Sequence, residues 1–347
     1  MMKNRSVLYD NVKKSEKEIM CNWDSKDPAV SVVCITYNHE LYINDAIGGF
    51  LNQKTTFGFE IIIHDDASTD ETPNIIMEYH RRFPSIIIPI LQNENQHSKG
   101  TKIFSTFINP LIRGEYIAHC EGDDYWIDSS KLQRQYDALK STQSCDICFH
   151  PAKAMYPNDT SRIICLHSKS TKIFSIGDVI LGDGGFMPTA SLFYRKEIRT
   201  SVDEFFERYE KFPVGDVMLQ FLASKRGGAL YLPMVGSVYR INSIGSWSHR
   251  MITDSSFAFD VYKKSILWNE KLNEFTGYLY DEYFNQKITF LLKNYTTNPY
   301  IIKEYRYYFL QMYPRYFKSY SMLGLQSKFL LRYLKKFAKQ TFLKYSR

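Results

Sequence analysis

Five short apolar runs recur in the first 150 residues, and each gives way within a few positions to a polar turn. They lie at 30–36 (Val-Ser-Val-Val-Cys-Ile-Thr), 59–64 (Phe-Glu-Ile-Ile-Ile-His), 86–91, 115–120 and 145–149. In the first two, apolar residues occupy nearly successive positions rather than alternate ones. That pattern predicts strands buried on both faces, as in a largely parallel sheet. Helical patterns fill the gaps at 40–53, 69–82, around Ile103, Phe104, Phe107, Ile108 and Leu111, and from Asp128 or Ser129 to about 140. The second of these helices is expected to start near 69, because Ser68 and Glu71 have capping-box spacing. Alternating strand and helix with short connections predicts a doubly wound α/β sheet.

The second half is less regular. Residues 151–172 read as a loop, 189–194 as a strand, and 229–232 and 235–240 as two more strands. Val214, Val217, Met218, Phe221 and Leu222 form one helical stripe. From about 255 onward the chain reads as helical and aromatic-rich. The expected organisation is a lead-in over 1–27, an α/β domain over 28–250 and a helical, basic extension over 251–347.

A chain of 347 residues can bury a core without disulfide or metal staples. No apolar run approaches bilayer length, and the N-terminus has no apolar segment of signal-peptide type. The expectation is a cytoplasmic protein, peripheral at the inner face of the membrane if its tail binds there. The six cysteines are then reduced thiols, with Cys145 and Cys148 read as buried strand residues rather than a zinc pair. The net charge of +7 is concentrated: nine Lys/Arg and no Asp/Glu fall in 315–347, leaving 35 of the 44 basic residues against all 37 acidic ones. A basic amphipathic tail with interfacial aromatics suits an anionic membrane surface, although packing on the body is an equal reading. With a slightly acidic body, nucleic acid is not an expected partner.

Ligands of open α/β sheets sit beyond the carboxyl ends of the strands. Two carboxylate pairs fall there, Asp65/Asp66 and Asp123/Asp124. Adjacent carboxylates repel unless a cation or donor compensates, and hard oxygen ligands suit Mg²⁺ or Mn²⁺. Asp70 and Glu71 read instead as acids in a first helical turn.

Three segments, in order, carry a resemblance. Val30-Ser-Val-Val-Cys-Ile-Thr-Tyr-Asn38, then Glu60-Ile-Ile-Ile-His-Asp-Asp-Ala-Ser-Thr-Asp-Glu-Thr72, then Glu121-Gly-Asp-Asp-Tyr-Trp126 resemble the successive signatures of family-2 glycosyltransferases, inverting enzymes of the GT-A fold. The resemblance covers roughly 28–245. It implies a GT-A-type mixed sheet and transfer of a sugar from a nucleotide donor, most plausibly UDP-linked, to a hydroxyl of a glycan or lipid-linked acceptor in surface-polysaccharide synthesis. It implies that Thr36, Tyr37 and Asp66 contact the nucleotide, and that Asp123 and Asp124 face the donor phosphates and a divalent metal, with Asp124 the direct ligand. Glu121 stands where the family often has Asp. Asp216, in Pro213-Val-Gly-Asp-Val-Met-Leu219, matches the family's catalytic base; simple helix capping is its other reading. Tyr239-Arg240-Ile-Asn242 resembles a Tyr-Arg-x-His segment near the phosphates, with Asn242 in place of the His. Arg240 then contacts phosphate or forms an ion pair. Trp126 either walls the sugar site or packs beneath the loop, and the lone histidines read as structural.

Rival functions are a sugar-phosphate nucleotidyltransferase and an inactive glycan- or membrane-binding scaffold. The first wants a Gly-rich basic loop after strand one, and a dehydrogenase wants G-x-G-x-x-G there. The loop present is Thr36-Tyr-Asn-His-Glu40. The second is disfavoured by the retained Asp66, Asp123, Asp124 and Asp216.

Overall fold

A computed structural model describes residues 12–182, 184–209, 215–241, 247–297, 303–313 and 316. The chain divides into two compact units, Met1–His249 and Arg250–Arg347.

In the first unit a short helix α1 (Glu16–Met20), closed by a Ser15/Glu18 capping box, leads into β1 (Pro28–Thr36). There follow α2 (Ile43–Leu51), β2 (Gly58–Asp65), α3 (Thr72–Arg82), β3 (Ile87–Leu91), β4 (Tyr116–His119), β5 (Tyr125–Trp126), α4 (Lys131–Ser141) and β6 (Ile147–Phe149). The second half adds β7 (Ala152–Met155), β8 (Ser161–Ile164), β9 (Lys172–Phe174), α5 (Ile176–Gly182), β10 (Phe193–Arg195), α6 (Ile198–Arg208), α7 (Gly215–Ala223), β11 (Ala229–Tyr231) and β12 (Ser237–Arg240). The main sheet runs β3-β2-β1-β4-β10-β6-β11-β9, and a smaller one runs β5-β12-β7-β8. β1 lies parallel to both β2 and β4, with Thr36 opposite Asp65 and Val33 opposite His119. The carboxyl ends of these three strands therefore open on one edge.

The continuous apolar runs in β1 and β2 follow from their central place. Val32, Cys34, Ile61 and Ile63 are fully buried with Ile47 and Phe50 of α2 and Ile76 and Tyr79 of α3. Each such aliphatic side chain contributes about 1.5–3 kcal/mol by leaving water. Cys145 and Cys148 are buried free thiols, as expected.

Several local expectations fail. The 151–172 loop contains the β7–β8 hairpin, in which β8 is largely exposed and so carries no burial pattern to read. The helix around 103–111 is a single wide turn, Phe104–Ile108, closing into a tight turn, Asn109–Leu111. Pro110 cannot donate to a continuing α-helix. Of the strand expected at 189–194 only Phe193 and Tyr194 pair; Thr189–Ser191 form a tight turn.

The helix α8 (Trp247–Thr253) spans the division. In the second unit, α9 (Ser255–Phe275) begins at Asp254, whose carboxylate accepts the Phe257 amide at 2.9 Å. With α10 (Asp281–Thr297) and α11 (Lys303–Met312) it encloses Ile266, Ile288, Leu292 and Phe309. Aromatic stacks complete that core: Phe259 on Tyr305 and Tyr262 on Tyr295, each with centroids 3.9 Å apart. Among the described residues no helix is long and apolar enough to cross a membrane. Apart from Tyr316, the basic tail 315–347 lies outside the described residues.

Candidate active site

The turns after β1 and β2 are laced together. Asn38 sits at φ 55° and Ala67 at φ 64°, each reversing the chain sharply. The Asn38 amide donates to Ser68 Oγ at 2.8 Å, and the Thr69 amide donates to Asn38 Oδ1 at 2.8 Å. The His39 amide reaches Thr72 Oγ1 at 2.9 Å, and the Glu40 amide reaches Asp70 Oδ2 at 3.0 Å. Ser68 Oγ accepts the Asn38 amide and gives its proton to Asp65, and α3 begins four residues later, at Thr72. The expected capping box is therefore absent: α3 starts at Thr72, and Asp70 Oδ1 accepts the Thr72 amide at 3.0 Å. Asp70 and Glu71 precede the helix rather than forming its first turn.

Asp66 is buried, and both its carboxylate oxygens are taken by backbone amides, Gln96 at 2.7 Å and His97 at 3.0 Å. It thus ties the 95–97 loop to the strand end. Thr36 is buried with Oγ1 3.0 Å from His39 Nδ1, while the Tyr37 ring is 45% exposed and free to meet a ligand. Gly122 lies directly over this pair: a Cβ there would come within 2.5 Å of Thr36 Oγ1 and 2.9 Å of His39 Nδ1. The Gly122 amide also donates to the Ile35 carbonyl at 3.0 Å, so the loop after β4 is bound to the end of β1.

That loop presents Glu121, Asp123 and Asp124. Asp124 is 1% exposed. Its Oδ1 accepts the Arg240 amide at 2.9 Å, and its Oδ2 is buried with no donor among the described residues. Burial first, then Asp123 and Glu121, push its carboxyl well above the ordinary range. Glu121 opens to solvent yet is crowded by surrounding protein; lost hydration and then the charges of Asp123 and Asp216 push it up to about 8. Glu60, buried in the same sheet, shows the contrast: it accepts Ser31 Oγ at 2.6 Å, the Arg113 amide at 2.8 Å and Arg113 Nε at 2.6 Å. Among the described residues, the carboxylates after β4 have no comparable set of donors.

Arg240 does not supply one. Its guanidinium donates to the Asp123 carbonyl at 2.6 Å and pairs with Asp45, lying 4.4 Å above the Tyr125 ring and 5.0 Å from that of Tyr42. The expected ion pair of Arg240 is formed, with Asp45 as its partner. A bare buried carboxylate oxygen beside further carboxylates fits a divalent cation, which Asp123 and Asp124 could hold. Among the described residues no group of three or more His, Cys, Asp or Glu is arranged to hold a metal, so the remaining ligands would be phosphate oxygens and water. Asn242 lies outside the described residues.

Asp216 stands in the first turn of α7, partly exposed. Its Oδ1 accepts its neighbour Val217's amide at 2.8 Å, and its Oδ2 accepts Thr189 Oγ1 at 3.0 Å. Its charge is felt at Glu121, so the base candidate and the β4 carboxylates belong to one cluster. Trp126 packs beneath the loop rather than walling it: it is buried, gives its indole N–H to the Ala190 carbonyl at 3.0 Å, and carries the Lys131 ammonium 3.8 Å from its ring. His119 and His150 are structural, bonded to Tyr194 Oη at 2.8 Å and the Pro151 carbonyl at 2.9 Å. Sequence reasoning missed Asp45, which resembles any acid of a first helical turn, and Thr189, which carries no periodic signal.

The profile of glycosyl transferase family 2 matches residues 31–198. An uncharacterised protein of Mycobacterium tuberculosis is 36% identical over 231 residues, covering 65% of this chain and 62% of that one. An uncharacterised glycosyltransferase of a Nostoc species is 30% identical over 178 residues, covering 50% of this chain and 52% of that one. The chain thus spans less than two thirds of the length of these relatives. Among solved structures, residues 1–349 of TarS from S. aureus in complex with UDP-GlcNAc superpose with a TM-score of 0.61 at 16% identity, covering 83% of this chain and 80% of that one. That likeness concerns the fold, which is of GT-A type. The profile match embraces the three motif-bearing strand ends, so residues 31–198 of the chain are a glycosyl transferase family 2 region.

Proposed function

We propose that the chain is an inverting, metal-assisted glycosyltransferase that moves a sugar from a UDP-linked donor to a hydroxyl of a glycan or lipid-linked acceptor. The observation that carries this reading is the carboxylate cluster at the strand ends, in which Asp124 keeps a buried oxygen with no donor among the described residues and the charge of Asp216 reaches Glu121. Tyr37 offers an exposed ring to the base, and Thr36 and Asp66 shape the wall behind it. A Mn²⁺ or Mg²⁺ ion at Asp123 and Asp124 would neutralise charge on the diphosphate leaving group. Asp216 takes the acceptor hydroxyl's proton at a carboxylate oxygen while that hydroxyl attacks the anomeric carbon. The bond from that carbon to the phosphate oxygen breaks on the opposite face, its electron pair leaves with UDP, and the configuration inverts. Arg240, engaged by Asp45, shapes the Asp123-Asp124 turn and presents its amide to Asp124.

The bacterial TarS complex with a UDP-sugar supports the choice of donor. Surface-polysaccharide synthesis at the inner face of the membrane, with the 315–347 tail as an anionic-lipid contact, is the cellular reading that goes with it. Calorimetry of UDP with and without Mn²⁺ tests the core of the proposal. Binding should be tight with the metal and weak in EDTA; equal affinity in both would remove the metal from the mechanism.

A further inference from the structure

The turn after β1 carries a histidine among the groups gathered at the strand ends. His39 is half-buried, and its amide donates to Thr72 Oγ1 at 2.9 Å, which fixes where the side chain leaves the backbone. Its Nδ1 lies 3.0 Å from Thr36 Oγ1. A Cβ on Gly122 would come within 2.9 Å of that same nitrogen, so this edge of the ring is closed off by the end of β1 and the backbone after β4. The ring meets Tyr42 edge-on, with centroids 6.3 Å apart. Among the described residues Nε2 has no hydrogen-bond partner. Burial, helped by Arg240, outweighs the pull of Asp123, Asp70 and Asp65 and holds the imidazole below its ordinary range. Of those three carboxylates Asp123 is felt most strongly, so the ring and the Asp123-Asp124 turn share one neighbourhood.

We infer that His39 binds the nucleotide donor, giving its Nε2–H to an oxygen of the diphosphate. This rests on the reading of the chain as a UDP-sugar enzyme, and it takes one histidine out of the structural class. The two ring nitrogens have separate tasks. Nδ1 is committed to Thr36, and a threonine hydroxyl that donates there leaves the proton of a neutral imidazole on Nε2. The bond to Thr36 and the edge-on contact with Tyr42 fix the plane of the ring, so its remaining N–H is held in place before a ligand arrives. Asp123 and Asp124 repel phosphate wherever no cation lies between them. A neutral N–H beside them offers the phosphate a hydrogen bond without adding charge to a crowded cluster. The rival role is bracing alone, in which only Nδ1 matters.

Side-chain amides separate the two roles, because an Asn amide reaches the place of Nδ1 and a Gln amide reaches that of Nε2. The experiment is UDP calorimetry on the full chain with Mn²⁺, with thermal unfolding and competition by uridine alongside. His39→Asn should weaken UDP binding roughly 10- to 100-fold, the loss of one hydrogen bond to a charged group. Its Tm should stay close to that of the wild type, because the bond to Thr36 is kept. His39→Gln should bind UDP within about fivefold of wild type, since its amide can still donate at the Nε2 position. Uridine, which has no phosphate, should compete equally well in all three proteins. Wild-type UDP affinity in His39→Asn overturns the inference. So does the reverse order, with Asn binding better than Gln, and so does a UDP loss matched by a fall in Tm, since both mark a bracing role. An equal loss for uridine overturns the phosphate contact. If the wild type itself does not bind UDP, the donor reading fails, and that result is visible before any variant is made.

Discussion

The two halves of the candidate site are built by different means. Around β1, β2 and β4, site residues are fixed within interlocked turns: the Asn38 amide meets Ser68, Ser68 meets Asp65, the Glu40 amide meets Asp70, and Asp66 is held by amides 96 and 97. Around β12 and α7, each meets a side chain from a separate segment of the fold. Arg240 meets Asp45, 195 positions away, and Asp216 meets Thr189, 27 away. The first arrangement is stiff: its turns are saturated with hydrogen bonds, and Gly122 has no room for a methyl group. The second is assembled from side chains of separate segments, with Arg240 held by Asp45, the Asp123 carbonyl and the Tyr125 ring. A donor pocket that must exclude misfits suits the first, and a base that must meet varied acceptors suits the second.

The largest expected effect breaks this division most directly. Asp216→Asn should lower turnover by roughly 10²–10⁴-fold, the span of general-base catalysis, with UDP affinity in Mn²⁺ nearly unchanged. If UDP binding falls in step with turnover, Asp216 belongs with the donor residues and the two halves are not separable. Next comes Gly122→Ala on the stiff side, where the added methyl would sit 2.5 Å from Thr36 Oγ1. Overpacking of this kind costs about 1–3 kcal/mol, visible as a lower Tm and weaker UDP binding. An unchanged Tm would mean that the strand-end turn yields more easily than its hydrogen bonds suggest.

A smaller effect is expected where the halves meet. Asp45→Asn removes the ion-pair partner of Arg240 while its bond to the Asp123 carbonyl and its place over Tyr125 remain. Asp45 is 40% exposed in its side chain, so water already weakens the pair. Metal-dependent UDP binding should fall roughly twofold to fivefold, the worth of a partly exposed salt bridge. A loss as large as that from Asp124→Asn would make Arg240 a direct phosphate group that Asp45 merely orients.

This same division explains what was legible in the sequence. β1 and β2 were read to within two residues of their ends, because strands buried on both faces leave a continuous apolar run. The carboxylate clusters were legible because strand ends are where α/β sheets present ligands. The β7–β8 hairpin was not, since exposed residues such as Arg162 and Ile163 follow no burial period. Nor was the start of α3: Ser68 has cap spacing, but its hydroxyl is drawn to Asp65, a choice that only the adjacent strand end decides. Thr189 and Asp45 stayed hidden because their partners, Asp216 and Arg240, are set by the fold and not by the neighbouring sequence.

The least effect on catalysis should come from Asp70, which serves the stiff half without facing its ligand. Its Oδ1 accepts the Thr72 amide and its Oδ2 the Glu40 amide, each at 3.0 Å, joining the start of α3 to the turn after β1. Burial raises its carboxyl, but the hydrogen bonds from Thr72 and Glu40 outweigh burial and hold it below the ordinary range. A group depressed in this way stabilises the fold fully above its unfolded value of about 3.9, and that stabilisation is lost as pH falls through the lower folded value. Asp70→Asn keeps one acceptor oxygen and loses the charge, so urea denaturation at pH 7 should show a deficit of about 1 kcal/mol, the size of a lost helix cap. At pH 3 the wild type is losing the same charge, and the deficit should shrink toward zero. kcat and donor KM should not move. A deficit that persists undiminished at pH 3 would place the contribution in the shape of the turn rather than in the charge, and a fall in kcat would mean that the stiffness of this wall is itself used in the reaction.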